Sequence, residues 1–295
     1  MLRTVYVNGQ WLPEDQATVS VFDRGFLMAD GVYEVTTVLD GKLVDFPGHA
    51  QRLARSLAEL DMPSPAGTDE LLALHREIVA KNGVVQGRVY LQVTRGNPGD
   101  RDFAFPDPAK TAPTLVMFTQ VTGAPEDSAD AKRGLKVISI PDIRWQRRDI
   151  KTVQLLYPSM GKMMAKKAGV DDAWLVEDGF VTEGTSNNTY IVKGGKIVTR
   201  QLSNDILHGI TRASLLRYAA EAQMQIEGTR ITVSGQAKGI DAVDSSGIDQ
   251  RPDGCEKFSW LCSRQNAGPK HSVLLRHLGR AERTLPRATS KFGCA

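Results

Sequence analysis

The sequence predicts an α+β protein built in two unequal parts, and three observations carry that prediction. Tight-turn dipeptides Asn8-Gly9, Asp40-Gly41 and Asp178-Gly179 each sit between β-rich runs, which marks antiparallel hairpins. Strand and helix patterns occur mixed together in two blocks, which favours α+β units with antiparallel pieces. Between the blocks, Ala124-Pro125-Glu126-Asp127-Ser128-Ala129-Asp130-Ala131 is small, polar and acidic, as a linker is. The expected division is residues 1–123, a linker at 124–132, and residues 133–295.

Taken in order, Val5-Tyr6-Val7, the Asn8-Gly9 turn and Gln10-Trp11 predict a first hairpin. Tyr33 to Leu39 and Lys42 to Phe46, joined by Asp40-Gly41, predict a second. Pro47 opens a helix through Leu60, with Leu53, Leu57 and Leu60 among its apolar positions. A further helix starts at Thr68 with acids in its first turn and stops at Asn82-Gly83. Arg88 to Arg95 and Thr114 to Val121 read as strands, as does Leu135 to Ile140. Pro158 to Lys167 is a helix ended by Gly169. Ala173 to Glu177 and Phe180 to Glu183 form a hairpin over Asp178-Gly179. Another joins Tyr190-Ile191-Val192 to Lys196–Thr199 through Gly194-Gly195. A helix runs from Thr211 to Met224, and Gln225 to Val233 closes the readable part as a strand.

Composition narrows the function classes. At 295 residues, 41% hydrophobic and 24% charged, the chain is of ordinary globular type. No apolar run approaches the roughly 20 residues of a membrane helix, and the N-terminus turns polar too soon for a signal peptide. A net charge of +3 points to neither nucleic acid nor membrane. Three cysteines supply no disulfide framework and fit a reducing cytoplasm. His49, His75, His208, His271 and His277 show no ligand spacing, so no metal site is expected. Nucleophile-elbow, P-loop and dinucleotide motifs are missing from the sequence.

The candidate chemistry centres on Lys151. The run Arg144-Trp145-Gln146-Arg147-Arg148-Asp149-Ile150-Lys151 crowds charges of both signs around one lysine, with apolar Ile150 and Val153 beside it. Nearby cations and partial burial lower a lysine's pKa, and a neutral amine forms a Schiff base with an aldehyde. Glu183 follows in Thr182-Glu183-Gly184-Thr185-Ser186-Asn187-Asn188, a carboxylate able to face a pyridinium nitrogen. Gly209-Ile210-Thr211-Arg212 opens a helix, a plausible phosphate seat. Lysine, carboxylate and phosphate seat are three fixtures that pyridoxal phosphate needs.

These stretches also carry a resemblance. Asp23-Arg24-Gly25-Phe26, Asp30-Gly31-Val32-Tyr33-Glu34-Val35, His49-Ala50-Gln51-Arg52-Leu53 and Val93-Thr94-Arg95-Gly96 precede Asp142-Ile143-Arg144-Trp145 and Asp149-Ile150-Lys151. Thr182-Glu183-Gly184 and Gly209-Ile210-Thr211-Arg212 complete the set. In this order, from about Arg3 to Arg230, the chain resembles the fold-type-IV pyridoxal-phosphate aminotransferases, and within them D-amino-acid transaminases. The resemblance implies a smaller N-terminal α/β domain and a larger cofactor-binding C-terminal domain. It implies transamination between a D-amino acid and a 2-oxo acid in a homodimer. Lys151 would carry the cofactor and act as base, with Glu183 at the pyridine nitrogen. Arg52, rather than neighbouring Arg55, would join Ile210 and Thr211 on the phosphate. Asn188 would orient the phenolic oxygen, although an Asn here also serves as turn chemistry. Tyr33 and a loop from Arg95 to Phe105, reaching across the dimer, would choose the substrate. Arg101 matches the loop's carboxylate-binding arginine, while Phe103 stands where the family has histidine. Branched-chain and amine transaminases and aminodeoxychorismate lyase share the fold type and are the alternatives.

After about Arg230 the resemblance fades. Ser245 and Ser246 fall near an expected hydroxyl loop, but their flanks do not match. Residues 249–295 carry nine Lys or Arg against four Asp or Glu and all three cysteines, so the tail differs in kind from the rest. From Gly247 to Trp260 it lacks the periodicity of a buried element. An altered reading frame or a foreign C-terminus is the expectation, and with it a non-catalytic relic as a further alternative. Resequencing the coding DNA tests this, since an intact frame shared with close relatives would remove it.

Overall fold

A computed structural model describes residues 2–123, 133–193 and 196–232, with two short segments, 249–250 and 256–258. The expectations for the 124–132 linker, the Gly194-Gly195 turn, Val233, Ser245, Ser246 and most of the tail lie outside the described residues.

The first sheet is drawn entirely from residues before Thr122. Strands β1 (Thr4–Val7) and β2 (Gln10–Pro13) flank Asn8 and Gly9, whose φ values of 46° and 89° suit a type I′ turn. A short helix α1 (Arg24–Met28) then leads into β3 (Gly31–Leu39) and β4 (Lys42–Leu43). Periodicity could not register α1, which has only five residues. Its start is set by Asp23, whose carboxylate accepts from the Gly25 amide, and its end by Ala29 at φ 53°. Helices α2 (Phe46–Glu59) and α3 (Thr68–Lys81) come before β5 (Gly87–Thr94) and β6 (Thr114–Val121). The order is β2-β1-β6-β5-β3-β4, with all neighbours antiparallel. Strand alternation divides the faces. Val32, Val38, Val89, Leu91, Val93 and Met117 meet Leu53, Leu57 and Ile78 in one core. Tyr33, Tyr90 and Phe118 instead stack in a row, with ring centroids 5.6 and 4.7 Å apart.

The second half contains β7 (Leu135–Pro141), α4 (Leu156–Lys167), β8 (Asp172–Glu177) and β9 (Phe180–Gly184). After these come β10 (Tyr190–Lys193), β11 (Lys196–Thr199), α5 (Ile210–Glu221), β12 (Gln225–Gly228) and β13 (Ile231–Thr232). Short strands β14 (Asp249–Gln250) and β15 (Glu256–Phe258) are last. One sheet has the order β13-β9-β8-β7-β15-β14 and another β10-β11-β12. β7 and β8 run parallel across α4, and β11 and β12 run parallel across α5. Val137, Trp174 and Val181 of the larger sheet pack against Ile191 and Val198 of the smaller one. Within the tail, Glu256–Phe258 pairs antiparallel with β7. Among the described residues no helix is long and apolar enough to cross a membrane.

Three expectations change. The strand expected from Lys42 to Phe46 stops at Leu43, because Phe46 already opens α2 ahead of Pro47. The single strand expected from Gln225 to Val233 is divided: β12 joins the small sheet and Ile231–Thr232 pairs with β9. The chain turns at Thr229, whose amide donates to the Thr199 carbonyl. The helix expected to reach Met224 ends at Glu221, because Gln223 takes the left-handed φ of 56° without a glycine to announce it.

Candidate active site

The halves of the chain meet at Lys151. The Tyr33 amide donates to the Lys151 carbonyl at 3.0 Å, and the Val153 amide donates to the Gly31 carbonyl at 3.0 Å. The loop before the lysine is held by buried charge. Asp149 is fully buried and receives Arg55 and Arg147, while Arg148 reaches Glu177 at 2.8 Å. The charges that crowd this run in the sequence therefore brace the backbone. The lysine residue is only partly buried, but its amine is enclosed, 4.2 Å from the centre of the Tyr33 ring. Burial and the Arg52 charge bring its pKa down to about 8, against the opposing pull of Glu34 and Glu183.

Glu183 lies buried on β9. One oxygen accepts from Arg144 at 2.9 Å, and the other accepts from the Leu207 amide and, at 3.4 Å, from Asn188. Burial pushes its pKa up, outweighing Arg144 and the Leu207 amide. Arg144 also grips Asp142 at 2.7 Å, so it links β7 to Glu183. Sequence reasoning quoted Arg144 within a motif but gave it no role. The signal was an arginine two residues from an acid on a strand end. The Asn188 amide group also donates to the Leu207 carbonyl at 2.9 Å, which ties Leu207 to Glu183.

Arg52 and Arg55 lie on one helix and part ways. Arg55 donates to the Asp149 carbonyl at 3.1 Å and joins the lysine loop. Arg52 holds Glu34 through two hydrogen bonds of 2.8 and 2.7 Å and donates to the His208 carbonyl at 3.0 Å. Glu34, which sequence reasoning passed over, is the buried counter-charge, held below the usual carboxylate range by Arg52 and His49 despite burial. Alternation along β3 puts Glu34 on the helix-covered face and Tyr33 on the other. Arg52 thereby faces the start of α5, where Ile210 and Thr211 are the first helical residues and no side chain caps the helix. A cavity of about 1390 Å³ adjoins this corner, walled by Arg52, Arg55, His208, Ile210, Arg212 and Arg217.

Lys151, Tyr33, Glu183, Asn188, Arg52 and Ile210–Thr211 thus gather where the two halves meet. Arg101 and Phe103 stand apart on an exposed loop, with the guanidinium 4.8 Å from the ring centre.

The family model for Amino-transferase class IV matches residues 31–241. A D-alanine aminotransferase of Staphylococcus epidermidis is 35% identical over 232 residues, 79% of this chain and 81% of the relative. One from Bacillus licheniformis is 35% identical over 229 residues, 77% and 79% of the two chains. Among solved structures, a branched-chain amino acid aminotransferase of Escherichia coli superposes with a TM-score of 0.76, covering 95% of this chain and 94% of that one at 17% identity. A putative 4-amino-4-deoxychorismate lyase of Legionella pneumophila reaches 0.74 at 20% identity, covering 90% and 96%. At such identities these two establish the shared fold.

Proposed function

The chain belongs to the class IV amino-transferases, pyridoxal-phosphate enzymes of fold type IV, and from that premise we propose that it moves the amino group of a D-amino acid to a 2-oxo acid such as 2-oxoglutarate. We place it in the cytoplasm as a homodimer, with residues 1–123 and 133–295 as its smaller and larger domains. The observation that carries this reading is the enclosed Lys151 amine, brought to a pKa of about 8 within one cluster with Tyr33, Arg52 and Glu183. The 35% identity to a D-alanine aminotransferase, over 81% of that relative's length, supports the D-amino acid.

The residues present fit the cofactor. An uncapped helix start beside a buried arginine suits a phosphate. A buried carboxylate whose charged form Arg144 and the Leu207 amide favour against burial suits a protonated ring nitrogen. Gly209 lets Asn188 pack against the helix start, since a Cβ there would lie 2.1 Å from the Asn188 side-chain oxygen. When bound, pyridoxal phosphate supplies an aldehyde and a ring that accepts electrons from the substrate's Cα. Arg52 and the Ile210 and Thr211 amides would hold the phosphate. Glu183 would hold the proton on the ring nitrogen, and Asn188 keeps Leu207 against Glu183. Lys151, whose amine lies against Tyr33, would be the group that holds the cofactor's aldehyde end. As a free amine, Lys151 would take the proton from substrate Cα, and a pKa of about 8 suits that work. Tyr33 walls the amine, and Arg101, from the loop of the other protomer, grips the substrate carboxylate.

Phe103 favours a second reading. An exposed aromatic ring beside Arg101 offers no carboxylate donor, which suits an amine or a bulkier substrate. The visible spectrum of the purified protein with pyridoxal phosphate, before and after D-alanine, separates the two. A cofactor band that D-alanine shifts, and that is absent in Lys151→Ala, is the expected result. A band indifferent to D-alanine but shifted by a primary amine supports the second reading. One shifted only by L-alanine overturns the stereochemistry, and no band at all returns attention to the tail.

A further inference from the structure

The loop that carries Arg101 is exposed at its tip and anchored by buried charge at its base. Arg24, only 3% exposed, donates its Nε to Asp30 at 2.7 Å. Its Nη1 donates to two loop carbonyls, those of Asp102 and, at 3.2 Å, Ala104. The same Asp30 oxygen accepts from Arg95 at 2.8 Å, and the Arg95 guanidinium lies 3.6 Å from the centre of the Phe105 ring. The Arg24 guanidinium lies 5.7 Å from that ring. One carboxylate is thus shared by two guanidinium groups: Arg24 turns its Nη1 to the Asp102 and Ala104 carbonyls, Arg95 donates to the Leu60 and Asp61 carbonyls, and the Phe105 ring lies near both. At the entry to the loop the Arg24 amide donates to the Gly96 carbonyl at 2.9 Å. Gly96 sits at φ 90°, where a Cβ would lie 2.0 Å from the Ala112 carbonyl oxygen. Beyond these ties the tip has little support of its own. Among the described residues Arg101 makes no hydrogen bond or ion pair, and Phe103 is 76% exposed. Burying an arginine is costly unless its donors are used. Here two of its hydrogen bonds are spent on the backbone that flanks Arg101.

We propose that Arg24 is a positioning residue for substrate binding: it fixes the backbone at Asp102 and Ala104 so that Arg101 meets the carboxylate already aligned. This rests on the reading that Arg101 grips that carboxylate. Preorganisation of this kind acts on affinity, because the loop need not be ordered when substrate arrives. It leaves the proton transfer at Lys151 largely unaffected.

The test uses the holoenzyme carrying Arg24→Ala, Arg101→Ala or both, with D-alanine as donor. Arg24→Ala should raise KM about tenfold, the scale of one lost charge-assisted hydrogen bond, with kcat little changed. Amide hydrogen exchange across residues 101–105 should quicken in the same variant. In the Arg101→Ala background, Arg24→Ala should add nothing further to KM, as coupled positions do. Effects that simply add, or exchange that does not change, overturn the proposal while leaving Arg101's role standing. If Arg101→Ala itself leaves KM unchanged, the reading beneath the proposal fails, and the proposal with it. Phe105→Ala removes the stacked ring without unpairing a buried charge, so it covers the case in which Arg24→Ala does not fold. It should quicken the same exchange and raise KM to a smaller degree, and no change in either overturns the proposal.

Discussion

Replacing Lys151 with methionine should abolish transamination and at the same time stabilise the cofactor-free protein. The enclosed amine has its pKa lowered from 10.5 to about 8, chiefly by burial and then by Arg52. An unfolded chain binds that proton more tightly than the folded one does. Below pH 8 the folded protein therefore carries a charged amine it solvates poorly. Each pKa unit corresponds to about 1.4 kcal/mol, so the penalty approaches about 3 kcal/mol at pH 7. It shrinks as pH rises from about 8 towards 10.5, where the amine becomes neutral in both states. Methionine has a similar length and no charge, and it packs flexibly. Thermal unfolding of cofactor-free Lys151→Met and the parent protein at pH 7 should differ by several degrees in favour of the variant, at about 2–4 °C per kcal/mol for a chain of this size. The difference should narrow at pH 10. A variant that melts at or below the parent temperature at pH 7 would refute the argument that burial sets the amine's pKa.

Two further outcomes follow from the site. Glu183→Gln replaces an acceptor of the Arg144 and Leu207 N–H groups with an amide that can satisfy only part of them. It should lower kcat on the order of 10²-fold with the cofactor still bound, read by steady-state kinetics beside the absorbance spectrum. Gly209→Ala places a methyl group 2.1 Å from the Asn188 oxygen at the start of α5. It should weaken pyridoxal-phosphate binding tenfold or more, measured by titrating cofactor-free protein, whereas an unchanged Kd would show that the helix start has room to move.

The hairpins were legible because Asn8-Gly9, Asp40-Gly41 and Asp178-Gly179 impose turn geometry locally, and Asn8, Gly9, Asp40, Gly41, Asp178 and Gly179 all adopt positive φ. Helices α2 and α3 were legible because 14 residues suffice to show periodicity, whereas the five of α1 do not. The end of α5 at Glu221 was not legible because the left-handed turn at Gln223 has no glycine to mark it, and the division of residues 225–232 between two sheets was not legible because it depends on which strand lies alongside. Lys151, Glu183 and the Ile210–Thr211 helix start stood out by type, spacing and motif. Which arginine faces which partner did not. Arg52 and Arg55 are three positions apart on one helix, and only packing sends the first to Glu34 and the second to Asp149.

The sequence by itself therefore determined most of the elements and the family, and it singled out the residues proposed to carry the chemistry, because turn preference, helical period and motif order act over short stretches of chain. The tertiary structure decided which charges neutralise which, how far the lysine's pKa falls and what holds the loop of Arg101. Those quantities depend on burial and on partners brought together from distant parts of the chain, as when Arg24 reaches Asp102 and Arg144 reaches Glu183.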